Sequence, residues 1–124
     1  MSLFVIQEHH SSHLHWDFRF EYDGKLKSWA IPKEPPIEIG VKRLAIQVED
    51  HELSWANFEG VIPEGNYGGG TVKIWDKGEC EILQYQPESK IELILHGEKL
   101  KGKYILLKLG DDKKGNYLFF KTKS

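Results

Sequence analysis

Cysteine is nearly absent: Cys80 stands alone in 124 residues, so no internal disulfide can form, and a reducing compartment is expected. No apolar run approaches the ~18 residues that a membrane-crossing helix needs. The start, MSLFVIQEHH, has no basic stretch followed by an apolar one, so no secretory signal is read there. A cytoplasmic, monomeric protein without a membrane segment is the expectation. Long helical periodicity is missing too, which argues against a bundle or an α/β layer fold. The length suits one domain, 1–124.

Charge of one sign is also lacking, since 17 basic residues face 19 acidic ones. The distribution is uneven, however. Residues 97–124 hold eight lysines against three acids, while the first 96 residues are net acidic. A basic C-terminal third can lie along a phosphate backbone, although a solvated strand face has the same composition.

What is present is a hydrophobic period of two. Strands are predicted at Leu3–Gln7, His15–Tyr22, Lys25–Ile31, Leu44–Glu49, Thr71–Trp75, Glu79–Tyr85, Lys90–Leu95, Lys103–Leu109 and Tyr117–Lys123. Asp23-Gly24 is a hairpin signal, and Asp76-Lys77-Gly78 and Gly110-Asp111-Asp112 read as turns. Long loops are expected at Pro32–Lys42 and Asn57–Gly70. The fold class that follows is all-β: a closed or nearly closed antiparallel barrel of about eight strands, because closure removes exposed edges. The run Gly65–Gly70 is not a Walker loop, since no Gly-Lys-Ser/Thr follows; it reads as a tight loop, with a phosphate nest as the lesser reading.

Four of the six histidines fall at His9, His10, His13 and His15. In the strand after them, Trp16, Phe18, Phe20 and Tyr22 alternate with His15, Asp17, Arg19 and Glu21. One face is thus an aromatic wall for a core; the other carries an imidazole, a carboxylate and a guanidinium in a row. His15 and Asp17 project the same way, roughly 6.5 Å apart along the strand, so they can share one divalent ion. A third ligand must come from elsewhere, and His9 at the end of the preceding strand is well placed. Two imidazoles and one carboxylate leave positions open for water and substrate. Arg19 can grip an anion beside the metal. His10 and His13 read as turn residues. Arg43 and His51 flank a strand that is expected to bring both to one rim. An arginine forks onto two phosphate oxygens, and a histidine can donate to phosphate or protonate a leaving oxygen. Trp29, Trp55 and Trp75 read mainly as core, with base stacking considered for Trp55.

These residues carry a resemblance. FVIQEHHSSHLHWDFRFEYDGKLKSWAIPKEPP, KRLAIQVEDHELSWANFEGVIPEGNYGGGTVKIWDKG, LHGEKLKGKYILLKL and YLFFK resemble, in order, blocks of the phosphoesterase domain of bacterial end-joining DNA ligase D. The chain is similar to stand-alone versions of that domain. The resemblance implies a compact β-barrel and a Mn²⁺-dependent enzyme, with Zn²⁺ or Co²⁺ as other candidate ions. It implies removal of a 3′-terminal ribonucleoside by phosphodiester cleavage, then removal of the remaining 3′-phosphate. It places metal ligands at His9, His15 and Asp17, and phosphate-handling residues at Arg19, Arg43 and His51. Lys33 and Glu49 are supporting positions. Implied partners are primer–template 3′ ends, with an end-joining ligase, a polymerase and Ku in trans. His51 is expected to work protonated. Two departures stand out. The family's N-terminal arm, rich in Arg, Asp and Glu, is not in this sequence, and Trp55 occupies the place of a phosphate-contacting tyrosine. Indole can donate one hydrogen bond but cannot accept one or act as a proton source.

Two other classes fit the spacing alone. One is a cupin-like non-haem iron oxygenase using His15, Asp17 and a distant histidine, His51 or His96. The other is a non-catalytic barrel that binds single-stranded nucleic acid.

Overall fold

The computed structural model describes residues 2–63, 69–110 and 115–123. Among these residues nine strands succeed one another: β1 (Ser2–His10), β2 (Leu14–Tyr22), β3 (Lys25–Ile31), β4 (Lys42–His51), β5 (Gly60–Ile62), β6 (Gly70–Gln86), β7 (Lys90–His96), β8 (Lys101–Lys108) and β9 (Asn116–Thr122). Their order is β1-β2-β3-β4-β9-β8-β7-β6, and β1 pairs back onto β6, so eight strands close an antiparallel barrel. β5 lies outside the ring, paired with β6 alone. A 3₁₀ turn at Leu53–Asn57 precedes it. The all-β barrel is the expected class; β5 falls in the stretch read as loop, and the turn lies between that stretch and the strand predicted at Leu44–Glu49.

Alternation builds the barrel. Phe4 and Ile6 of β1, Trp16, Phe18 and Phe20 of β2, and Trp29 and Ile31 of β3 join Leu93, Tyr104 and Phe119 in one interior core. Phe20 stacks on Trp29, with centroids 5.4 Å apart and planes 9° apart. Burying aromatic rings of this size is the main source of stability, at roughly 25 cal/mol per Å² of apolar surface. The β2–β3 hairpin turns through Asp23 and Gly24, both with positive φ (54° and 80°), as a type I′ turn requires.

One expectation fails. Asp76-Lys77-Gly78 is not a turn; it lies inside the 17-residue strand β6. The buried Asp76 carboxylate accepts hydrogen bonds from the backbone N–H groups of Lys77, Glu98, Lys99 and Leu100, thereby tying down the β7–β8 connection. Gly78 lies where a Cβ would collide with the His96 carbonyl. Residues with turn character were selected here for an acceptor and for close approach. Asp76→Ala should therefore cost on the order of 3 kcal/mol or more, because several buried donors lose their acceptor together. Urea unfolding of the variant reads this directly.

The Gly65–Gly68 part of the glycine run and the Asp111-Asp112 turn signal lie outside the described residues. Among the described residues, no helix is long and apolar enough to cross a membrane.

Candidate metal centre

The polar alternation of β2 does not face solvent. Asp17 and Arg19 are 6% and 4% exposed, because a second layer covers this outer wall of the barrel. Leu53, Trp55 and Ala56 from the 3₁₀ turn pack there with Val5, Leu26 and Ile74 as a small separate core. Strand pairing brings the site together. His9 lies in register with His15, Gln7 with Asp17, and Arg19 with Ser28. Paired residues share a face, with Cβ atoms about 5 Å apart, so a local hairpin delivers both imidazoles to one carboxylate.

His9 Nδ1 lies 3.6 Å and His15 Nε2 3.3 Å from the same oxygen, Asp17 Oδ2. The three residues offer ligand atoms that all lie within 4.8 Å of one another. His15 Nδ1 is 3.0 Å from the His13 carbonyl, and only N–H can donate there, so Nε2 is the nitrogen left for a metal. A lone pair and a carboxylate oxygen facing each other need a cation between them. Buried His9 Nε2 has no hydrogen-bond partner among the described residues. Both observations fit a divalent ion held by two imidazoles and a carboxylate.

Without an ion, a proton takes that place. The interaction with Asp17 raises the His15 imidazole above its ordinary value, against the opposing effect of burial. Burial also pushes the Asp17 carboxyl up. The hydrogen bond with His15 and the charges of Arg19, His15 and His9 outweigh that push and hold it below the carboxylate range. Metal must displace the His15 proton, so affinity should fall as pH drops through a value above 6.5. In a histidine NMR titration of the metal-free protein, His15 should titrate above the ordinary range. Asp17→Asn should bring it back down by removing the main cause; an unchanged His15 midpoint would reject this coupling.

Arg19 is locked in place. Its Nε donates to Gln7 Oε1 at 2.7 Å and its Nη1 to Ser28 Oγ at 2.8 Å; Nη2 lies 3.5 Å from Asp17 Oδ2. Gln7 is fully buried, and its Nε2 donates to the carbonyls of Trp55 and Phe58. One amide thus ties the covering turn to the guanidinium. Sequence reasoning missed Gln7 and Ser28. The signal for Gln7 was its alternation with His9; Ser28 stood out only as a hydroxyl in an apolar strand.

His51 reaches the site through an irregularity. Between the pairs Leu26–His51 and Ser28–Val48, β4 carries one more residue than β3. This bulge resets the alternation and gives His51 the face of Leu26 and Ser28. Its Nδ1 lies 3.0 Å from Arg19 Nη1 and 3.1 Å from the Glu49 carbonyl. Burial first, then the Arg19 charge, lower the His51 pKa, so the imidazole is neutral at pH 7. The expectation of a protonated His51 runs against this environment.

His9, Asp17, Arg19, Glu49, His51 and Trp55 line one cavity of about 510 Å³, with Val48, Ile62 and Val72 as apolar neighbours. Trp55 stacks on Phe58, with centroids 4.3 Å apart, and its buried Nε1 has no partner among the described residues. Arg43 and Lys33 do not line this cavity. Arg43 starts β4 and His51 ends it, so about 25 Å of strand separates them and they share no rim. Arg43 Nε instead donates to the Glu34 carbonyl, and Lys33 is exposed in the β3–β4 connection. His10 pairs with Glu8 and His96 with Glu81, both exposed and away from the cluster. Trp29 is core, and Trp75 packs against the core under Lys99.

A closed antiparallel barrel with a buried two-histidine, one-aspartate cluster beside a clamped arginine is a candidate metal centre for an anionic ligand. Residues 7–108 match the family model described as the DNA ligase D 3′-phosphoesterase domain. The chain is 49% identical over 109 residues to the multifunctional non-homologous end joining protein LigD of Pseudomonas aeruginosa, which covers 85% of this chain and 13% of that protein. The corresponding protein of Mycobacterium tuberculosis is 45% identical over 113 residues, 89% of this chain and 15% of that protein. The chain belongs to the DNA ligase D 3′-phosphoesterase domain family. It spans about a seventh of the length of these relatives.

Proposed function

We propose that this chain is a single-domain, divalent-metal-dependent phosphoesterase that processes nucleic acid 3′ ends in end-joining DNA repair. The observation that carries the reading is one cavity holding the His9–Asp17 cluster and the clamped Arg19; His15 completes the cluster from the adjoining strand. It would remove a 3′-terminal ribonucleoside and then the 3′-phosphate, acting on primer–template ends with an end-joining ligase, a polymerase and Ku as partners in trans.

His9, His15 and Asp17 would hold the ion, with Mn²⁺ preferred and Zn²⁺ or Co²⁺ as substitutes, since two imidazoles and one carboxylate suit these borderline ions. When bound, such an ion supplies Lewis acidity at a phosphate oxygen. Arg19 binds and orients the phosphate, its plane fixed by Gln7 and Ser28. Neutral His51 uses Nδ1 either to accept from Arg19 or to donate to the Glu49 carbonyl, so Nε2 is the atom left to reach the phosphate from the side opposite the ligands. Trp55 offers its N–H, without a partner among the described residues, as a donor in place of a phenol. Glu49 holds His51 through its carbonyl. Arg43 and Lys33, outside the cavity, would meet the strand further from its end.

Incubation of an end-labelled primer–template bearing a 3′-ribonucleotide or a 3′-phosphate tests the reading. Shortening to a 3′-hydroxyl end with Mn²⁺, abolished by chelator, supports it. Binding without product at any metal would instead favour the non-catalytic barrel.

A further inference from the structure

The basic C-terminal third, which the reaction leaves unused, forms a groove at one end of the barrel. Lys101, Lys103, Lys121 and Lys123 line a hollow of about 360 Å³ with Gly102 and Ile39. Lys103 lies 3.4 Å from Glu92 Oε1. For Lys101, Lys121 and Lys123 no acidic partner is found among the described residues. Such a grouping of unpaired ammonium groups is unfavourable unless anions visit it. The floor is shaped to hold it: Gly102 has φ +115°, and a Cβ there would stand 3.2 Å from Lys121 Cε. The glycine thus leaves room for the Lys121 stem to lie across the floor.

The topology relates this groove to the metal centre. Neighbouring strands of the closed barrel are antiparallel. The end of β1, the start of β2, the end of β9 and the start of β8 therefore share one end of the barrel. His9 and His15 stand at that end on β1 and β2; Lys101, Lys103 and Lys121 stand there on β8 and β9, with Lys123 directly after β9. The exposed Lys33 and Lys42 lie on the path between them. A phosphodiester backbone carries regularly spaced charges over such a distance, whereas a single small anion fills only one of the two sites.

We propose that this lysine groove is a second nucleic-acid contact, holding the phosphate backbone of the substrate away from the 3′ end that enters the metal centre. This deepens the phosphoesterase reading and rests on it for the identity of the ligand. Lysine contacts to phosphates add affinity without sequence preference, and each contributes about one unit to the salt slope.

The experiment measures fluorescence anisotropy of a labelled primer–template, between about 50 and 200 mM salt, with wild type and the triple variant Lys101→Ala, Lys121→Ala, Lys123→Ala. Affinity at the low-salt end should fall by at least about 100-fold, and the log–log salt slope should shrink by about three, so the deficit narrows as salt rises. Hydrolysis of bis(p-nitrophenyl) phosphate, too short to span the two sites, should keep its wild-type rate. The charge-retaining triple Lys→Arg variant should bind as wild type. A wild-type affinity and slope in the alanine variant would overturn the groove assignment while leaving the phosphoesterase reading intact, and would point to an acidic protein surface as the partner. A reduced slope in a protein that hydrolyses no phosphoester would uphold the groove and reject the enzyme. Lost affinity that the arginine variant does not restore would also count against a phosphate contact.

Discussion

Replacing Arg19 by lysine should lower turnover by roughly 10²–10³, the range seen when one preorganised donor to a developing charge is removed. Lysine keeps the charge, but it cannot donate at once to Gln7 and Ser28 while also facing Asp17 and a ligand. Arg19→Ala should do more. It leaves the buried Asp17 without its guanidinium and strips the donors from Gln7 Oε1 and Ser28 Oγ. Breaking a buried charged network from one side costs about 3–5 kcal/mol, a large part of the 5–15 kcal/mol that holds a small domain folded. The two variants separate the roles. Lysine should retain most stability in urea unfolding and bind metal, yet turn over slowly; alanine should unfold earlier as well. An Arg19→Lys enzyme with wild-type kcat would remove the guanidinium from phosphate handling.

Replacing His9 by alanine should abolish metal binding and activity together. His9 is 7% exposed, its Nδ1 faces the Asp17 oxygen that His15 shares, and its Nε2 has no partner among the described residues. Losing an outer-shell partner of a metal ligand already costs 10–100-fold in affinity. Losing a ligand from a three-residue set should cost more than about 100-fold. Calorimetry with Mn²⁺ should show no saturable site in the variant, while circular dichroism keeps the β-sheet signature. Retained Mn²⁺ affinity with lost activity would instead make His9 a group acting on substrate.

Much of this was legible in the sequence because a period of two fixes faces without any knowledge of the partner strand. Trp16, Phe18 and Phe20 went inside and Asp17 and Arg19 to the other face on that rule alone. That His9 joins them needed only a hairpin around Ser11–His13. The failures came where tertiary context overrode local chemistry. Asp76 and Gly78 look like a turn, but their carboxylate and missing Cβ serve the β7–β8 connection inside a long strand. The bulge in β4, which gives His51 its face, depends on a count against β3 that one strand cannot reveal. Flanking the strand predicted at Leu44–Glu49 does not bring Arg43 and His51 to one rim, because extended backbone puts them at opposite ends. Gln7 was hidden in an apolar run, and its role exists only once the Leu53–Asn57 turn folds over the barrel wall.

In the proposed function a divalent ion and a phosphate meet on the outer wall of the barrel, between β1, β2 and the covering turn. The most direct measurement is an anomalous difference map from crystals soaked with Mn²⁺ and inorganic phosphate. One strong peak in contact with His9, His15 and Asp17 is expected, with phosphate density against Arg19 and His51. A peak held by other side chains, or phosphate density that avoids Arg19 while the ion is bound, would contradict it.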